Sequence, residues 1–388
     1  MGDTRSARAC WPTRHGKKRR TYDGAVISVD AAAAIDMDDL SYCPPGAAYP
    51  KCKYPEWITI LGLKDSNGRV NLMPAGWGIE LCQDPPLVGV SVGLERYSHE
   101  MFQGARYFSW TAPSLGAGPD VYFCGTRSGR DVDKTQHLTG ITLAPGSVCD
   151  VPVITGARRC AECELIGHMF TGDHRMFVGR VLHDHVDPER PRLLNFNDRL
   201  YAPALPDPAT TYMATPQARP DVGDSRWVSL IVVEDTDRGR CEILPINALT
   251  ITSHDPAQVA IALPTQSYAA RLIEASGHFT FCWPVAGMGP DITACLTMDG
   301  RTHDKFAETA FRRIPPRRGR APLIDGCVAA VECRTVARLA IEPVTMFVGQ
   351  VLAAHRLADG PRIQDFGHGT YALARVDLAN AWQGPQDT

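Results

Sequence analysis

One stretch of this chain is written twice. Met176-Phe-Val-Gly-Arg-Val-Leu182 returns 170 residues later as Met346-Phe-Val-Gly-Gln-Val-Leu352, with six of seven positions identical. Cys124-Gly-Thr-Arg-Ser-Gly-Arg-Asp-Val-Asp-Lys134 returns as Cys295 to Lys305, keeping the Cys, one Gly, one Arg, the last Asp and the Lys. Trp57 and Trp227, Gly68-Arg69 and Gly239-Arg240, Asp84-Pro85 and Asp255-Pro256, Tyr97 and Tyr268, and Glu162-Cys163 and Glu332-Cys333 fall into the same register. Two copies are too few for a solenoid. The repeat therefore demands two homologous domains of about 130–140 residues each.

The boundaries follow from the repeat. Residues 1–52 precede the first copy and have no counterpart, so they read as an extension, partly disordered or serving as a lid. Residues 53–190 form the first domain. Residues 191–224 are rich in Pro and Asp with no apolar period, which reads as a linker. Residues 225–360 form the second domain, and 361–388 a C-terminal tail.

Composition narrows the class. The net charge of −3 gives no basic field for nucleic acid, and the run from His15 to Arg20 reads as a solvated arm. No apolar run reaches the ~20 residues of a membrane span, and the N-terminus has no secretory core, so a cytoplasmic protein is expected. Thirteen cysteines, an odd number, fit a reduced protein better than a disulfide framework. Cys43 and Cys52 read as unrelated loop thiols. Ala, Arg and Pro usage fits a bacterial chain of a specialised pathway.

Within each copy the signals are mostly strands. Leu87 to Val92 and Val259 to Leu263 are short apolar runs bounded by Pro turns. Met176 to Leu182 is β-branched and aromatic, with Gly179 marking a bulge or a close approach. Ser98 to Phe102 and Ala269 to Glu274 read as short helices. The class is mostly β with a few helices, most naturally a barrel.

In order, the first copy carries Asn71-Leu-Met-Pro-Ala-Gly-Trp77, Asp84-Pro-Pro-Leu-Val-Gly-Val90, Arg96-Tyr-Ser98, the Cys124–Lys134 loop, Gly172-Asp-His174 and Phe177-Val-Gly179. This ordered set resembles the flavin-reductase-like family of FMN-binding split β-barrels, which includes flavoredoxins. The resemblance covers about 55–188 well and about 225–358 more weakly. It implies two tandem barrels that pair within the chain as a pseudo-dimer, with flavin near their shared interface. Pairing of whole chains as a homodimer stays open.

For a flavin phosphate, the resemblance points to Ser98, placed to cap its helix, to Arg96, and to the loop residues Ser128, Gly129 and Lys134. For the flavin ring it points to the backbone of Asn71, Leu72, Met73, Ala75, Gly76 and Trp77. Pro74 lacks an N–H, and it stands where the family usually has a hydroxyl residue. Trp77 either stacks on the ring or fills a core. His174 matches the Gly-Asp-His element that lies near the nicotinamide in relatives, which makes it the catalytic candidate. In the second copy Ser98 becomes Ala269, Arg96 becomes Ser267 and Ser128 becomes Asp299. One competent FMN site, built by copy one and walled by copy two, is expected.

Cys160-Ala-Glu-Cys163 has redox spacing but lacks a second pair, so buried thiols are expected. His183-Asp-His185 reads as a solvated strand end, and no metal site is expected. No GxGxxG stands in a βαβ context, so NAD(P)H would bind beside the flavin. The leading expectation is an FMN-dependent oxidoreductase acting on a small-molecule substrate or on flavin, with FAD in place of FMN left open. The alternatives are a flavoredoxin-like electron carrier and a flavin-free binding barrel.

Overall fold

The computed structural model describes residues 54–196, 199–218, 221 and 225–384, with the backbone of Tyr42 and Cys43. The basic run, Cys52 and nearly all of the expected extension lie outside the described residues. Among the described residues no helix is long and apolar enough to cross a membrane.

The first barrel contains β1 (Thr59–Lys64), β2 (Val70–Ala75), β3 (Gly78–Gln83), β4 (Pro86–Gly93), α1 (Tyr97–Phe102), β5 (Tyr107–Ala112), α2 (Gly118–Thr126), β6 (Arg159–Thr171) and β7 (His174–Val186). Its seven strands run β2-β1-β5-β6-β7-β4-β3, with every pairing antiparallel. The second barrel repeats this with β8 (Ser229–Asp235), β9 (Arg240–Ile246), β10 (Leu249–Ser253), β11 (Gln258–Pro264), α3 (Tyr268–Ser276), β12 (His278–Trp283), α4 (Gly289–Thr297), β13 (Ala329–Ile341) and β14 (Val344–Arg356). The order β9-β8-β12-β13-β14-β11-β10 matches, with Tyr42–Cys43 added beside β14.

The duplication reaches the irregularities. The β6–β7 ribbon slips register at Glu162/Cys163 and at Leu165/Gly167, and β13–β14 slips at Glu332/Cys333 and Thr335/Ala337. Gly179 and Gly349 hold the same role: a Cβ on either would lie 2.5 Å from the ring of Phe108 or Phe279. Glycine is required there because the strand passes over a ring.

β4 is apolar apart from Ser91 because both of its faces are covered. Val88, Val90 and Val92 fill the core of barrel one. Leu87 joins Ile79, Leu81, Met176 and Val178 against Ala260, Ala262, Met346 and Val348 of barrel two. The two barrels thus pack through a shared apolar layer, the intrachain pseudo-dimer expected. Each copy also repeats a stack of its own: Arg192 lies 3.6 Å over Trp57 and Arg362 lies 3.5 Å over Trp227.

The segments expected as linker and tail are corrected by the structure. Leu194–Asn195, Leu200–Ala202, Ala204–Pro206 and Tyr212–Met213 are strands. They pair with Glu56–Trp57, Trp382–Gln383 and Thr370–Val376 in small sheets beside the barrels. Leu194, Phe196, Ala202 and Ala204 bury against Phe366 and Ala372. Strands of two or three residues carry no legible period, so the Pro content dominated the sequence reading.

Cys160 and Cys163 are buried thiols on β6, and the ten cysteines from Cys82 to Cys333 are free.

Candidate functional site

The stretch Asn71–Trp77 forms the edge of barrel one. β2 is the terminal strand of its sheet, paired only with β1, so its outer backbone edge is not used by the sheet. Met73, Pro74, Ala75 and Gly76 are half-buried, with one side open. Asn71 and Leu72 are buried.

Around Asn71 the cluster closes. Asn71 Nδ2 donates to Ser98 Oγ at 2.8 Å, and Asn71 Oδ1 is buried without a partner. The hydroxyl proton of Ser98 has no acceptor among the described residues. Gly129 lies directly over this pair: a Cβ there would stand 2.2 Å from Asn71 Oδ1. Ser128 Oγ accepts from the Arg130 amide at 3.2 Å and turns the loop. Arg69 donates to the Gly129 carbonyl, and Arg130 pairs with Glu100. Their guanidinium carbons each lie 5.6 Å from the centroid of the Tyr97 ring. Arg96, with its side chain 45% exposed, pairs with Glu95 at 3.5 Å. Three arginines therefore gather at the start of α1, two of them paired with Glu95 and Glu100.

Two expectations change. α1 begins at Tyr97 with Arg96 as its N-cap, so Ser98 sits inside the first turn rather than at the cap. Copy two places its hydroxyl at the cap instead, where Ser267 Oγ accepts from the Ala270 amide at 3.2 Å. Lys134 is turned into the barrel. Its ammonium is buried and donates to Leu72 O at 2.7 Å and Cys124 O at 2.8 Å, tying α2 to β2.

His174 lies at the junction of the barrels. Its Nδ1 meets Asp173 Oδ1 at 2.6 Å, and the same oxygen accepts Ser253 Oγ at 2.8 Å and the His254 amide at 2.9 Å. Barrel two thus holds the carboxylate that holds the imidazole. These bonds outweigh burial and keep the Asp173 carboxyl below its usual range. An ionised Asp173 only accepts, so His174 carries its proton on Nδ1. Burial first, then Arg96, lowers the His174 pKa against the opposing pull of Asp173. The neutral ring presents the Nε2 lone pair toward Gly93 and Arg96; a Cβ on Gly93 would lie 3.4 Å from Nε2. Trp77 is a core residue. It packs into barrel two, with its ring centroid 4.5 Å from both His174 and His254.

The second barrel keeps the frame and changes the contents. Lys305 repeats Lys134 with bonds to Ile243 O and Cys295 O, but Glu242 replaces Asn71 and takes the ammonium at 2.6 Å. Arg301 and Arg238 border Tyr268, as Arg130 and Arg69 border Tyr97. Ala269 stands in place of Ser98, and Asp299 pairs with Arg301 at 3.0 Å.

The chain matches the flavin reductase like domain over residues 52–204 and again over 225–371, and it belongs to that family. An Archaeoglobus fulgidus protein of undefined role is 34% identical over 113 residues, which is 29% of this chain and 63% of that protein. The NADH:riboflavin 5'-phosphate oxidoreductase of Streptomyces pristinaespiralis is 24% identical over 39% of this chain and 84% of its own length. Among solved structures, a Thermus thermophilus FMN-binding protein with bound 1-cyclohex-2-enone is 29% identical, covering 44% of this chain and 92% of that one at a TM-score of 0.34. The matched stretch spans less than two thirds of the Archaeoglobus protein.

Sequence reasoning missed Arg69, Arg130, Asp173, Ser253 and His254 as site residues. Arg69 and Arg130 recur in copy two, and recurrence reads as scaffold. Ser253 and His254 replace Cys82 and Gln83, and nothing in one sequence tells that they cross to the other barrel.

Proposed function

We propose that this chain is a flavin-dependent oxidoreductase with one flavin site, built by barrel one and walled by barrel two. The observation that carries this reading is the contrast at matched positions. Asn71, Arg96, Ser98 and Ser128 are neutral or cationic; Glu242, Ser267, Ala269 and Asp299 in their places lose a hydroxyl and a cation and add two carboxylates. An anionic phosphate suits the first set and is repelled by the second.

The donor set of barrel one fits FMN. The Ser98 hydroxyl and the Arg96 guanidinium are suited to the phosphate, with Arg69 and Arg130 adding positive field. The β2 edge from Leu72 to Gly76 offers backbone groups to a flat ring. When bound, the flavin supplies the hydride chemistry, with NAD(P)H as reductant. His174, fixed through Asp173 by Ser253 and His254, orients the nicotinamide or holds a proton at Nε2. The junction residues Trp77 and His254 exclude water from its flank. The acceptor is a small organic molecule or free flavin.

The test is an absorption spectrum of the purified chain titrated with FMN, followed by NADH and NADPH. One equivalent of FMN per chain and NAD(P)H-dependent bleaching are expected. Two equivalents, or none, overturn the single-site reading. Bound flavin that no nicotinamide reduces would assign an electron carrier instead.

A further inference from the structure

We propose that the far end of the β6–β7 ribbon in barrel one is a binding site for a divalent d-block cation of the zinc type, held by Glu162, His183 and His185. Each of the three offers one ligand atom, and these atoms all lie within 4.8 Å of one another. His185 Nε2 stands 2.9 Å from Glu162 Oε1, and the two imidazole rings lie 4.6 Å apart at 79°. Ligands of a tetrahedral ion at about 2.0–2.2 Å are separated by roughly 3.3–3.5 Å, so small side-chain shifts suffice. Two imidazoles and one carboxylate favour zinc-like ions over magnesium or calcium.

The duplication supplies an internal control. Glu332 and His355 repeat the Glu162–His185 pair at 2.6 Å. In both copies the carboxylate also gathers three loop amides, from Ser147, Val148 and Cys149 or from Arg317, Arg318 and Gly319. That pair therefore serves the scaffold. His183 does not: Ala353 stands in its place. The settings differ as well. His355 and Glu332 are sealed at 1% and 0% side-chain exposure, and Tyr42–Cys43 pairs along β14 at His355 and Ala354. His185 is 34% exposed, His183 is exposed, and among the described residues no strand pairs with β7 on that side beyond Arg180. The copy with the third donor is the open one.

Glu162 accepts from all three loop amides and meets His185 Nε2, so its oxygens act as acceptors and His185 donates the bridging proton. A metal at Nε2 would take that place, with the single ring proton of His185 carried on Nδ1 instead. His183 lies nine residues along β7 from His174, at most about 30 Å at the rise of a strand, and none of the three ligands is a group proposed for the flavin.

The test uses the full chain, stripped with chelator and titrated with Zn2+ by calorimetry, and with Co2+ by absorption. One equivalent with the weak d–d bands of nitrogen and oxygen ligands is expected. His183→Ala should weaken that equivalent roughly tenfold or more. The variant should melt like the parent without metal, since copy two already carries Ala there, and should lose the zinc-dependent rise in melting temperature. An isotherm unchanged by His183→Ala, binding only through cysteine thiolates, or no binding would each overturn the proposal.

Discussion

Trp57 and Trp227 bind each other's barrels by the same bond. Trp57 Nε1 donates to Ser225 O at 2.7 Å, and Trp227 Nε1 donates to Pro55 O at 2.7 Å. Each indole is capped by an arginine from its own copy, Arg192 or Arg362. This is an isologous contact made within one chain. Trp57→Phe and Trp227→Phe should each cost about 0.5–1.5 kcal/mol for the lost hydrogen bond. Urea unfolding checks this; a large cost for one variant and none for the other would show that the symmetry is not energetic.

The buried lysines should respond unequally. Lys134→Met leaves two buried carbonyls unpaired, at about 1–3 kcal/mol each. Lys305→Met leaves two carbonyls in the same way and also strands Glu242, which adds about 3–5 kcal/mol. Burial already pushes the Glu242 carboxyl above its usual range, and removing Lys305 pushes it further. A carboxyl raised in the folded state binds more protons there than when unfolded. Lys305→Met should therefore lose stability as pH rises above the ordinary carboxyl range. Glu242→Gln in the same chain should abolish that slope, as chemical denaturation across pH will report.

His174 should titrate below the ordinary 6.5, because burial and Arg96 oppose its charge. The folded state then binds fewer protons than the unfolded one between the two midpoints. The stability linked to this group is present above 6.5 and is lost as pH falls from there through the folded midpoint. Asp173 acts in the opposite sense, so Asp173→Asn should move the midpoint lower still. Imidazole NMR signals measure both; a midpoint that rises in Asp173→Asn would refute the assigned pairing.

Ser253→Ala should act from the other barrel. It removes the 2.8 Å bond to Asp173 without touching the groups proposed for the flavin. FMN uptake should be kept while NAD(P)H oxidation slows and its pH profile shifts. Loss of FMN binding instead would mean that Ser253 supports the pocket itself.

Gly179→Ala and Gly349→Ala should each cost about 1–3 kcal/mol by overpacking against Phe108 and Phe279. Thermal melts of the two variants should agree, since the geometry is the same in both copies.

The duplication was legible in the chain itself, because homologous strands keep the residues that their packing demands. Gly179 and Gly349, Phe108 and Phe279, and the paired tryptophans all carried that record. So did the loss of Ser98 and the gain of Asp299, where one-dimensional comparison of the copies was enough. Other outcomes depended on contacts between residues far apart in sequence. Ser98 and Lys134 have the same chemistry in either role, and only the folded chain turned one toward Asn71 and the other into the core. The short strands Ala204–Pro206 and Tyr212–Met213 are stabilised by partners more than 150 residues away, which no local period encodes. Asp173, Ser253 and His254 meet because an apolar layer presses two barrels together, and that layer sets their alignment. Local patterns fix strands and turns, whereas a site at an interface takes shape only when both faces are buried against each other.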